Sequence, residues 1–593
     1  MLTNAVVSAV MAGAMTLLCE DPGSWKFETT VVSPEKDVEV MRIRLVNETE
    51  AVPPKFSVGW NLKATGVANL WSALEECRLP PDWAGASFSS VASRMPVYAL
   101  MGADDTNRCT FATTEARNYT EFKTGVREET VEFPGLFTFF NATPTKEWST
   151  EIRIDRRPRH FSETIADASA WISRLFPPCR VPGAAFEPLY STWYNFHQDV
   201  HDRDIERECA EAAKLGMKTL IVDDGWQTDD TRRGYAFCGD WEVSKRRFPD
   251  MAAHVKRVHE LGMKYMVWYS VPFVGTMSKN YERFRGKYLY GDNQTGRATA
   301  VLDPRYPEVR KFLVGIYEKA MREWDLDGFK LDFIDSFNVG DDDPGKAKNY
   351  AGMDTKSVPV AVDLLMKEVH AALTAIKPDA LFEFRQSYIG PAIRQYGNML
   401  RASDCPYDAT ANRVRTTQLR LTSGGTAVHS DMLEWHDDDT TEFAALQVLN
   451  VLFSTIQYSR TLSAMKPEHK TMVAHWLKFT REHRETLLRG RFTPHQPMLR
   501  YPVLEAESAA ERIVAVYAPG QVVPVGAPKK PTWVINATTA GSVLVNAAAP
   551  FEAEVFDTLG RKVSGGRYDA GLHDMACPAS GYLAVRDLAK SGM

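Results

Sequence analysis

The chain has 593 residues, more than one hydrophobic core usually supports, so two or three domains are expected. Hydrophobic residues make up 44% and charged residues 25%, as in ordinary globular proteins. The net charge of −6 provides no basic surface for nucleic acid, and no apolar run is long enough to span a bilayer. Neither nucleic acid nor a membrane is therefore expected as a partner.

The N-terminal part of the sequence predicts β-structure. Segments 25–32, 38–46 and 151–154 alternate apolar and polar residues, as half-buried strands do. The apolar run Ala5–Leu18 has no Lys or Arg before it, so we expect the first strand of the fold there and not a leader peptide. These patterns predict an antiparallel β-sandwich over residues 1–178 and favour a cytoplasmic location over a secreted one.

From about residue 180, apolar strands alternate with amphipathic helices. Helices predicted over 203–215 and 249–261 end in the same tetrapeptide, Leu-Gly-Met-Lys, whose glycine is suited to cap a helix and turn the chain into a strand. Repeated units of this kind predict a (β/α)8 TIM barrel over 179–489. Its strands are expected at Pro188–Tyr194, Thr219–Asp223, Tyr265–Ser270, Phe329–Phe333, Ala380–Arg385, Met399–Ser403, Thr426–Ser430 and Ile456–Ser459.

The last part of the chain loses the helical pattern. Residues 490–593 contain short apolar runs separated by Gly, Pro and Ala, which predict a small C-terminal antiparallel β-sandwich. The expected fold class is therefore multidomain α/β, with a central barrel between two β-domains. The sequence does not determine the oligomeric state, and a homo-oligomer is compatible with it.

Polar and aromatic side chains follow seven of the predicted barrel strands at their carboxyl ends, where the chemistry of such barrels takes place. A single Asp at a strand end is often only the N-cap of the next helix, but seven such ends indicate a functional site. The strand ends carry Trp193 and Tyr194; Asp223, Asp224 and Trp226; Trp268; Lys330, Asp332 and Asp335; Glu383 and Arg385; Arg401 and Asp404; and His429 and Asp431.

The sequence shows no pattern of metal ligands or cofactor-binding residues. His429 stands alone, and the three aspartates at 341–343 fit a solvated lid better than a calcium loop. Neither a glycine-rich phosphate loop nor a Gly-x-Ser-x-Gly elbow is present. We therefore expect no metal and no organic cofactor. Carboxylates combined with aromatic side chains remain, and these are the equipment of a glycosidase.

Two carboxylates can be given catalytic roles from their positions. Asp332 fits a nucleophile, because Lys330 on the same face of the strand would keep it ionised. Asp404 fits a general acid in a water-poor pocket that raises its pKa, and Asp431 is a second possible acid. Two carboxyl groups on one barrel rim can stand about 5–5.5 Å apart, the separation that a retaining mechanism requires.

The remaining side chains of the rim fit the binding of a sugar. Asp223 and Asp224 would accept hydrogen bonds from its hydroxyl groups, whereas Arg385 and Arg401 would donate them. Aromatic side chains would form the walls of the pocket. These are Trp193, Trp226, Trp241 and Trp268.

Four sequence blocks resemble the signature blocks of glycoside hydrolase family 36, the retaining α-galactosidases. They are Val222–Trp226, Cys238–Trp241, Gly328–Asp332 and Arg401–Asp404, and the resemblance extends over about 185–460. It implies that Asp332 is the nucleophile and Asp404 the acid/base. It also implies that the terminal sugar is held by Asp223, Asp224, Trp226, Cys238, Trp241, Lys330 and Arg401.

The expected function is a retaining exo-α-galactosidase acting on a small-molecule or oligosaccharide substrate with a terminal α-linked sugar. Three alternatives remain open. The same mechanism could act on α-N-acetylgalactosaminides or another α-glycoside, or it could transfer galactose to make raffinose-type sugars. The protein could also have kept the pocket as a non-catalytic sugar-binding protein.

Overall fold

The computed structural model describes residues 8–12, 14–73, 79, 85–291, 295–337, 350–526 and 530–588. The aspartates at 341–343 lie outside the described residues. The chain divides into two compact units: Met1–Arg180, Arg232–Val243 and Trp268–Asn398 form the first unit, and Val181–Thr231, Ser244–Val267 and Met399–Met593 form the second. Among the described residues, every helix is too short or too polar to cross a membrane.

The N-terminal residues form two six-stranded antiparallel sheets, as predicted. The first has the order Ser8–Ala12, Met15–Cys19, Phe56–Lys63, Glu132–Phe139, Thr120–Thr124 and Gly85–Ser89. The second has the order Lys26–Glu35, Val38–Ala51, Thr145–Asp155, Asn107–Thr113, Val97–Met101 and Asn69–Ser72. Ile43 and Leu45 of the second sheet share one core with Val58 and Trp60 of the first, which makes the pair of sheets a sandwich.

The apolar N-terminal run differs in one respect from its prediction. Within Ala5–Leu18 the chain forms two strands, Ser8–Ala12 and Met15–Cys19, and not one. They pair antiparallel with Ala12 opposite Met15, so the run folds back on itself. Alternation alone cannot separate one long strand from a hairpin, because both leave the same residues on the same face.

The central sheet has eight strands, and all eight predicted barrel strands are found in it. Its order is Ala427–His429, Met399–Arg401, Leu381–Arg385, Gly328–Asp332, Lys264–Ser270, Thr219–Val222, Leu189–Ser191 and Gln457–Tyr458. Neighbouring strands of this sheet run parallel to each other. Isolated parallel bridges, His429 to Thr455 and Leu433 to Tyr458, join the first and last strands of this order and close the barrel. The predicted (β/α)8 architecture is confirmed.

Helices follow the barrel strands as expected. Asp202–Leu215 ends at Gly216, and Met251–Glu260 ends just before Gly262; both glycines have left-handed φ values, of 95° and 76°. The repeated tetrapeptide therefore turns helix into strand twice. The other helices of the described residues are Phe161–Ser173, Trp193–Phe196, Lys279–Arg283, Pro307–Trp324, Val358–Ile376, Ala409–Thr422, Thr441–Asn450, Pro467–Glu482 and Arg484–Arg489.

The C-terminal part is β-structure. A seven-stranded sheet has the order Arg491–His495, Val503–Glu507, Arg512–Val516, Thr532–Asn536, Tyr582–Asp587, Phe551–Phe556 and Lys562–Tyr568. A three-stranded sheet contains Val522–Val525, Ser542–Ala547 and Gly571–Ala576. Val534 of the larger sheet and Val545 of the smaller share one core. Most strand pairs are antiparallel, and two are parallel because the chain crosses over between them. The domain limits 1–178, 179–489 and 490–593 stay a prediction.

Candidate active site

Asp332 terminates the buried barrel strand Gly328–Asp332 and is only 8% exposed. Donors reach both oxygens of its carboxylate. The indole Nε1 of Trp268 donates to Oδ2 at 3.0 Å, and Nε of Arg385 donates to Oδ1 at 2.7 Å. The backbone N–H of Phe333 also donates to Oδ1, at 2.8 Å. A carboxylate held in this way keeps one orientation and its negative charge.

The local backbone contributes to this arrangement. Phe333, the residue after Asp332, has a φ of +64°, a left-handed conformation that is unfavourable for a bulky side chain. It brings the N–H of Phe333 onto the Asp332 carboxylate. Such outliers occur where the surrounding structure over-determines the conformation, often at functional sites. Lys330 lies two residues earlier on the same face of the strand and is 4% exposed, as expected.

Arg385 connects Asp332 with a second carboxylate. It ends the neighbouring strand Leu381–Arg385, and its NH2 group lies 3.6 Å from Oδ1 of Asp335. Burial alone would lower the pKa of the Arg385 guanidinium, but the charges of Asp332 and Asp335 raise it overall. Burial and the charge of Asp332 raise the pKa of Asp335, although Arg385 opposes this. Arg385 therefore remains a fixed cation between two carboxyl groups.

Ser387 ties this group to the N-terminal sandwich within the first unit. Its hydroxyl donates to Oδ2 of Asp335 at 3.1 Å and lies 3.3 Å from the hydroxyl of Ser93. Its carbonyl oxygen accepts the N–H of Arg94 at 2.7 Å. The sandwich loop thus supports the residues that surround the candidate nucleophile.

Aromatic rings pack around Trp268 in the first unit. The Trp241 ring lies 6.0 Å from Trp268 in an edge-to-face arrangement, and the Tyr235 ring lies 6.4 Å from it, stacked. Tyr235 also meets the Phe333 ring at 5.2 Å. Cys238 lies between Tyr235 and Trp241 in the chain and is 1% exposed. The structure therefore places the rings of Trp241 and Trp268 next to each other. Tyr235, which no sequence pattern indicated, also packs against Trp268.

In the second unit, Asp223 and Asp224 follow the strand Thr219–Val222 as predicted. Asp223 accepts the N–H of Asp224 at 2.9 Å. The side-chain amides of Gln198 and Gln227 donate to the two oxygens of Asp224, both at 2.6 Å. Burial, aided by the charge of Asp223, raises the pKa of Asp224 to about 7 against these hydrogen bonds. Asp224 is thus anchored on both oxygens by protein amides.

The backbone requires a glycine in the Asp-Asp-Gly-Trp block for steric reasons. Gly225 has a φ of +123°, and a Cβ atom on it would lie 2.6 Å from the backbone of Gln198. Trp226 is fully buried, so its ring packs inside the protein. Trp193 begins the short helix Trp193–Phe196 and is partly exposed.

Asp404 and Asp431 share one arginine in the second unit. NH2 of Arg401 donates to Oδ1 of Asp404 at 2.9 Å, and NH1 donates to Oδ1 of Asp431. The other oxygen of Asp431 accepts the hydroxyl of Tyr194 at 2.7 Å and the N–H of Cys405 at 2.6 Å. Burial raises the pKa of Asp431, and that of Tyr194 rises through burial and the charge of Asp431.

The surroundings of these two carboxylates differ from the expectation. The Asp404 side chain is 54% exposed, so the water-poor pocket expected around it is not found. Asp431 is the fully buried member of the pair. The reason is that the strand ends at Arg401, three residues before Asp404, and the intervening chain carries Asp404 out to the surface. Because Asp431 is fully buried and held by protein donors, it is suited to hold the loop in place.

His429 is a satisfied buried histidine. Its Nε2 lies 2.7 Å from the carbonyl oxygen of Ala185, and its Nδ1 lies 3.3 Å from the amide nitrogen of Gln457. Burial lowers its pKa to about 4, so the ring is neutral near pH 7. Both ring nitrogens have protein partners, as expected for a histidine that packs inside a barrel.

Several residues of these clusters have no clear signal in the sequence. Gln198 and Gln227 lie in connections without a recognisable motif, and Ser387 lies in a loop. Tyr194 and Asp335 stand at predicted strand ends, but alternation does not tell which neighbour they meet. Only the packing of the strands shows that Tyr194 binds Asp431 and that Asp335 faces Arg385.

Comparison with known proteins gives a consistent picture. Residues 186–490 match the family model described as Melibiase. The α-galactosidase AgaA of Geobacillus stearothermophilus is 30% identical over 132 residues, which cover 21% of this chain and 18% of AgaA. An A type blood α-D-galactosamine galactosaminidase of Flavonifractor plautii is 24% identical over 176 residues, covering 26% of this chain and 15% of that protein. The matched segments thus span less than a fifth of these relatives.

The structural comparison covers much more of the chain. A solved structure of a variant of AgaA, a glycoside hydrolase family 36 α-galactosidase, in complex with stachyose superposes with a TM-score of 0.66. The superposition covers 98% of this chain and 85% of that chain at 16% sequence identity. At this identity the likeness establishes the shared fold.

Proposed function

Because the chain belongs to the melibiase family, we propose that it is a retaining exo-glycosidase that removes terminal α-linked galactose from small saccharides and oligosaccharides. The matched region, 186–490, includes both carboxylates to which we assign catalysis, Asp332 and Asp404. The curated relatives with matching segments include an enzyme named α-galactosidase. The same mechanism also suits other α-linked sugars, so the identity of the sugar is part of the proposal.

The observation that carries the proposal is the environment of Asp332. A nucleophilic carboxylate must be ionised and must point in one direction when the sugar arrives. Trp268, Arg385 and the backbone N–H of Phe333 supply fixed donors to both of its oxygens.

The reaction then follows in two displacements. One oxygen of Asp332 attacks the anomeric carbon, while Asp404 gives its proton to the glycosidic oxygen and the leaving sugar departs with that proton. This leaves galactose covalently joined to Asp332. Asp404, now ionised, takes a proton from water, whose oxygen attacks the anomeric carbon and restores Asp332. Two inversions give a product with the original configuration.

Arg401 supports the change between protonated and ionised forms that Asp404 must undergo as a general acid and base. One guanidinium contacts two carboxyl groups, those of Asp404 and Asp431, so it cannot neutralise both of them. Attraction to Arg401 favours the ionised form of Asp404, and repulsion from the Asp431 carboxylate favours its protonated form. Asp404 is the exposed member and can exchange its proton with water or a leaving group.

Sugar binding is assigned to the remaining residues of the predicted set. Asp223, Asp224, Lys330, Arg385 and Arg401 are proposed to bind hydroxyl groups. Cys238, Trp193, Trp241 and Trp268 are proposed to shape the pocket. Trp226 is proposed to support Asp223 and Asp224 from inside the protein, because it is fully buried.

Rescue with azide tests both catalytic assignments, using 2,4-dinitrophenyl α-galactoside, whose leaving group needs no proton. With Asp332→Ala, azide should displace the leaving group directly and give β-galactosyl azide, because one inversion takes place. With Asp404→Ala, azide should attack the glycosyl-enzyme and give α-galactosyl azide after two inversions. A retained product from Asp332→Ala would contradict its assignment as nucleophile.

Wild-type assays decide among the alternatives for the sugar. Hydrolysis of 4-nitrophenyl α-galactoside, compared with the α-galactosaminide and the α-N-acetylgalactosaminide, gives the specificity directly. Turnover of an amino sugar alone would keep the mechanism and change the substrate. Binding of galactose by calorimetry without any turnover would identify a non-catalytic binding protein. Appearance of trisaccharide from galactose donors and sucrose would identify a transglycosylase.

Two further expectations stay predictions. A cytoplasmic location would be tested by fractionation of the host cells with an antibody against the chain. A homo-oligomer would be tested by light scattering coupled to size-exclusion chromatography.

A further inference from the structure

Two exposed aromatic rings share one cleft in the second unit. Tyr407 is 53% exposed and Phe443 is 56% exposed. No other Phe, Tyr or Trp in the described part of the chain is more than half exposed. Both rings line a cleft of about 330 Å³, within the range of small-molecule sites. Aromatic rings are normally buried for their hydrophobic area, so two exposed rings in one concave surface indicate a ligand.

Tyr407 is held rigidly in its exposed position. Its backbone has a φ of +61°, a conformation that a tyrosine seldom adopts. Its hydroxyl contacts both carboxylate oxygens of Asp439, at 3.0 and 2.9 Å. Its carbonyl oxygen accepts the side-chain amide of Gln447 at 3.1 Å. These contacts hold the side chain in position while about half of the residue stays exposed.

The cleft lies next to the candidate acid in the chain. Cys405–Asp408 forms a tight turn, in which the N–H of Asp408 donates to the carbonyl oxygen of Cys405 at 3.1 Å. Asp404 directly precedes this turn, so its Cα is at most about 11 Å from that of Tyr407. A general acid contacts the glycosidic oxygen, which is where the leaving group of a substrate begins. Tyr407 therefore lies close to the residue that would contact the leaving group.

The polar groups of the cleft favour a neutral ligand. The side-chain oxygen of Gln447 and the hydroxyl of Thr410 suit hydroxyl groups of sugars, and both residues line the cleft with the rings. Arg413 also lines it, but Nε and NH2 of its guanidinium donate to the carbonyl oxygen of Arg500 at 3.2 and 3.0 Å, and NH1 donates to Asn450. A cation committed to protein acceptors in this way is less suited to an anion.

We propose that this cleft binds the leaving-group sugar units of an oligosaccharide substrate, with Tyr407 and Phe443 as stacking platforms. The inference rests on the proposed function, since it takes Asp404 as the acid. It makes the protein selective for long substrates over those with small leaving groups. The chemical class of the ligand is a neutral oligosaccharide, whose C–H faces pack on aromatic rings and whose hydroxyl edges meet amides and hydroxyls.

The test compares a substrate that reaches the cleft with one that cannot. Stachyose has a trisaccharide leaving group, whereas α-galactosyl fluoride loses only fluoride. In Tyr407→Ala and Phe443→Ala, the ratio of kcat/KM for stachyose to kcat/KM for α-galactosyl fluoride should fall about 3- to 10-fold, as expected for loss of one stacked ring. An unchanged ratio in both variants would overturn the proposal.

A matched control separates the cleft from a general effect of surface mutation. Leu572 is 63% exposed on a C-terminal strand outside the cleft, so Leu572→Ala should leave the ratio as in the wild type. If the wild type hydrolyses neither substrate, the proposed function fails, and the cleft is tested by calorimetry with stachyose. Binding that Tyr407→Ala weakens would then support the cleft alone, and no binding to the wild type would overturn it.

Discussion

Nε of Arg385 lies 2.7 Å from Oδ1 of Asp332, at the ends of two adjacent barrel strands. This contact places a permanent cation on the candidate nucleophile. Replacing Arg385 by Met should shift the acidic limb of the kcat/KM profile to higher pH, because the carboxylate loses the charge that keeps it ionised. We expect kcat/KM at neutral pH to fall about 10- to 100-fold. The measurement is a pH–rate profile with 4-nitrophenyl α-galactoside.

Arg385→Lys is the matched control, since it keeps the charge and loses the planar guanidinium. The acidic limb of Arg385→Lys should lie close to that of the wild type. Its kcat should still be lower, because an ammonium group cannot contact Asp332 and Asp335 in the same geometry. Equal acidic limbs in the wild type and Arg385→Met would contradict an electrostatic role for Arg385.

Asp335 is expected to act through Arg385 as a positioning residue. Asp335→Asn removes a negative charge 3.6 Å from the guanidinium and keeps the size of the side chain. We expect kcat to fall about 3- to 10-fold with KM nearly unchanged, because the nucleophile loses its fixed partner while sugar contacts remain. A purely structural role would instead lower the melting temperature without changing kcat of the folded enzyme.

Asp404→Asn tests the general acid by the choice of leaving group. Substrates whose leaving group needs a proton, such as raffinose, should lose at least about 100-fold in kcat/KM. 2,4-Dinitrophenyl α-galactoside should lose much less in the first step, since its leaving group departs without a proton. A series of aryl α-galactosides measures this as a steeper dependence of kcat/KM on the pKa of the leaving group. The same slope as in the wild type would exclude Asp404 as the acid.

Asp431 should matter more for stability than Asp404. Asp431→Ala leaves the fully buried Arg401 without one of its carboxylate partners and removes the acceptor of the Tyr194 hydroxyl. Breaking a buried pair from one side typically costs about 3–5 kcal/mol of unfolding free energy. Urea denaturation should show this loss, whereas Asp404→Ala, at an exposed position, should cost about 1 kcal/mol or less. Equal losses of unfolding free energy in the two variants would contradict the prediction that the buried Asp431 contributes more to stability.

Asp224 gives a prediction for the dependence of stability on pH. Its pKa of about 7 in the folded protein exceeds the value of about 4 for an unfolded aspartate. The folded state therefore binds the extra proton, and this contribution to stability is complete below about pH 4 and lost as pH rises through about 7. It amounts to about 1.4 kcal/mol for each unit of pKa difference.

Asp224→Asn should remove this part of the pH dependence. From pH 5 to pH 8, the urea midpoint of the wild type should fall relative to that of Asp224→Asn. Asp438→Asn serves as the control, because that side chain is 87% exposed and should show no such change. A pH-independent difference for Asp224→Asn would contradict the raised pKa.

The sequence allowed the barrel strands to be predicted, and with them the strand-end positions of Asp332 and Asp404. Apolar runs and their alternation are local signals, and the repeated glycine cap divides helix from strand at Gly216 and Gly262. The details around each carboxylate depend on where the chain goes after the strand ends. Alternation could not show that Asp404 would be exposed while Asp431 would be buried.

The alternation of residues along a strand also cannot predict which side chains of neighbouring strands make contact. Lys330 was expected to be the cation that accompanies Asp332 because it shares a strand face with it. Arg385, which arrives from the next strand, also forms an ion pair with Asp332, and the pattern along one strand does not indicate it. Trp226 was expected to line the pocket; its full burial depends on how the loop packs, which no spacing in the sequence reveals.

The network around Asp431 has a mechanical consequence. The barrel closes through isolated bridges beside the two-residue strand Gln457–Tyr458. Asp431 accepts hydrogen bonds from Tyr194, Arg401 and Cys405, which lie at the ends of other barrel strands. One carboxylate therefore connects the chain segments that follow several strands near this closure, and it also contacts the arginine that binds Asp404. Loss of the Asp431 side chain would therefore weaken the closure of the barrel and release the arginine beside Asp404 at the same time.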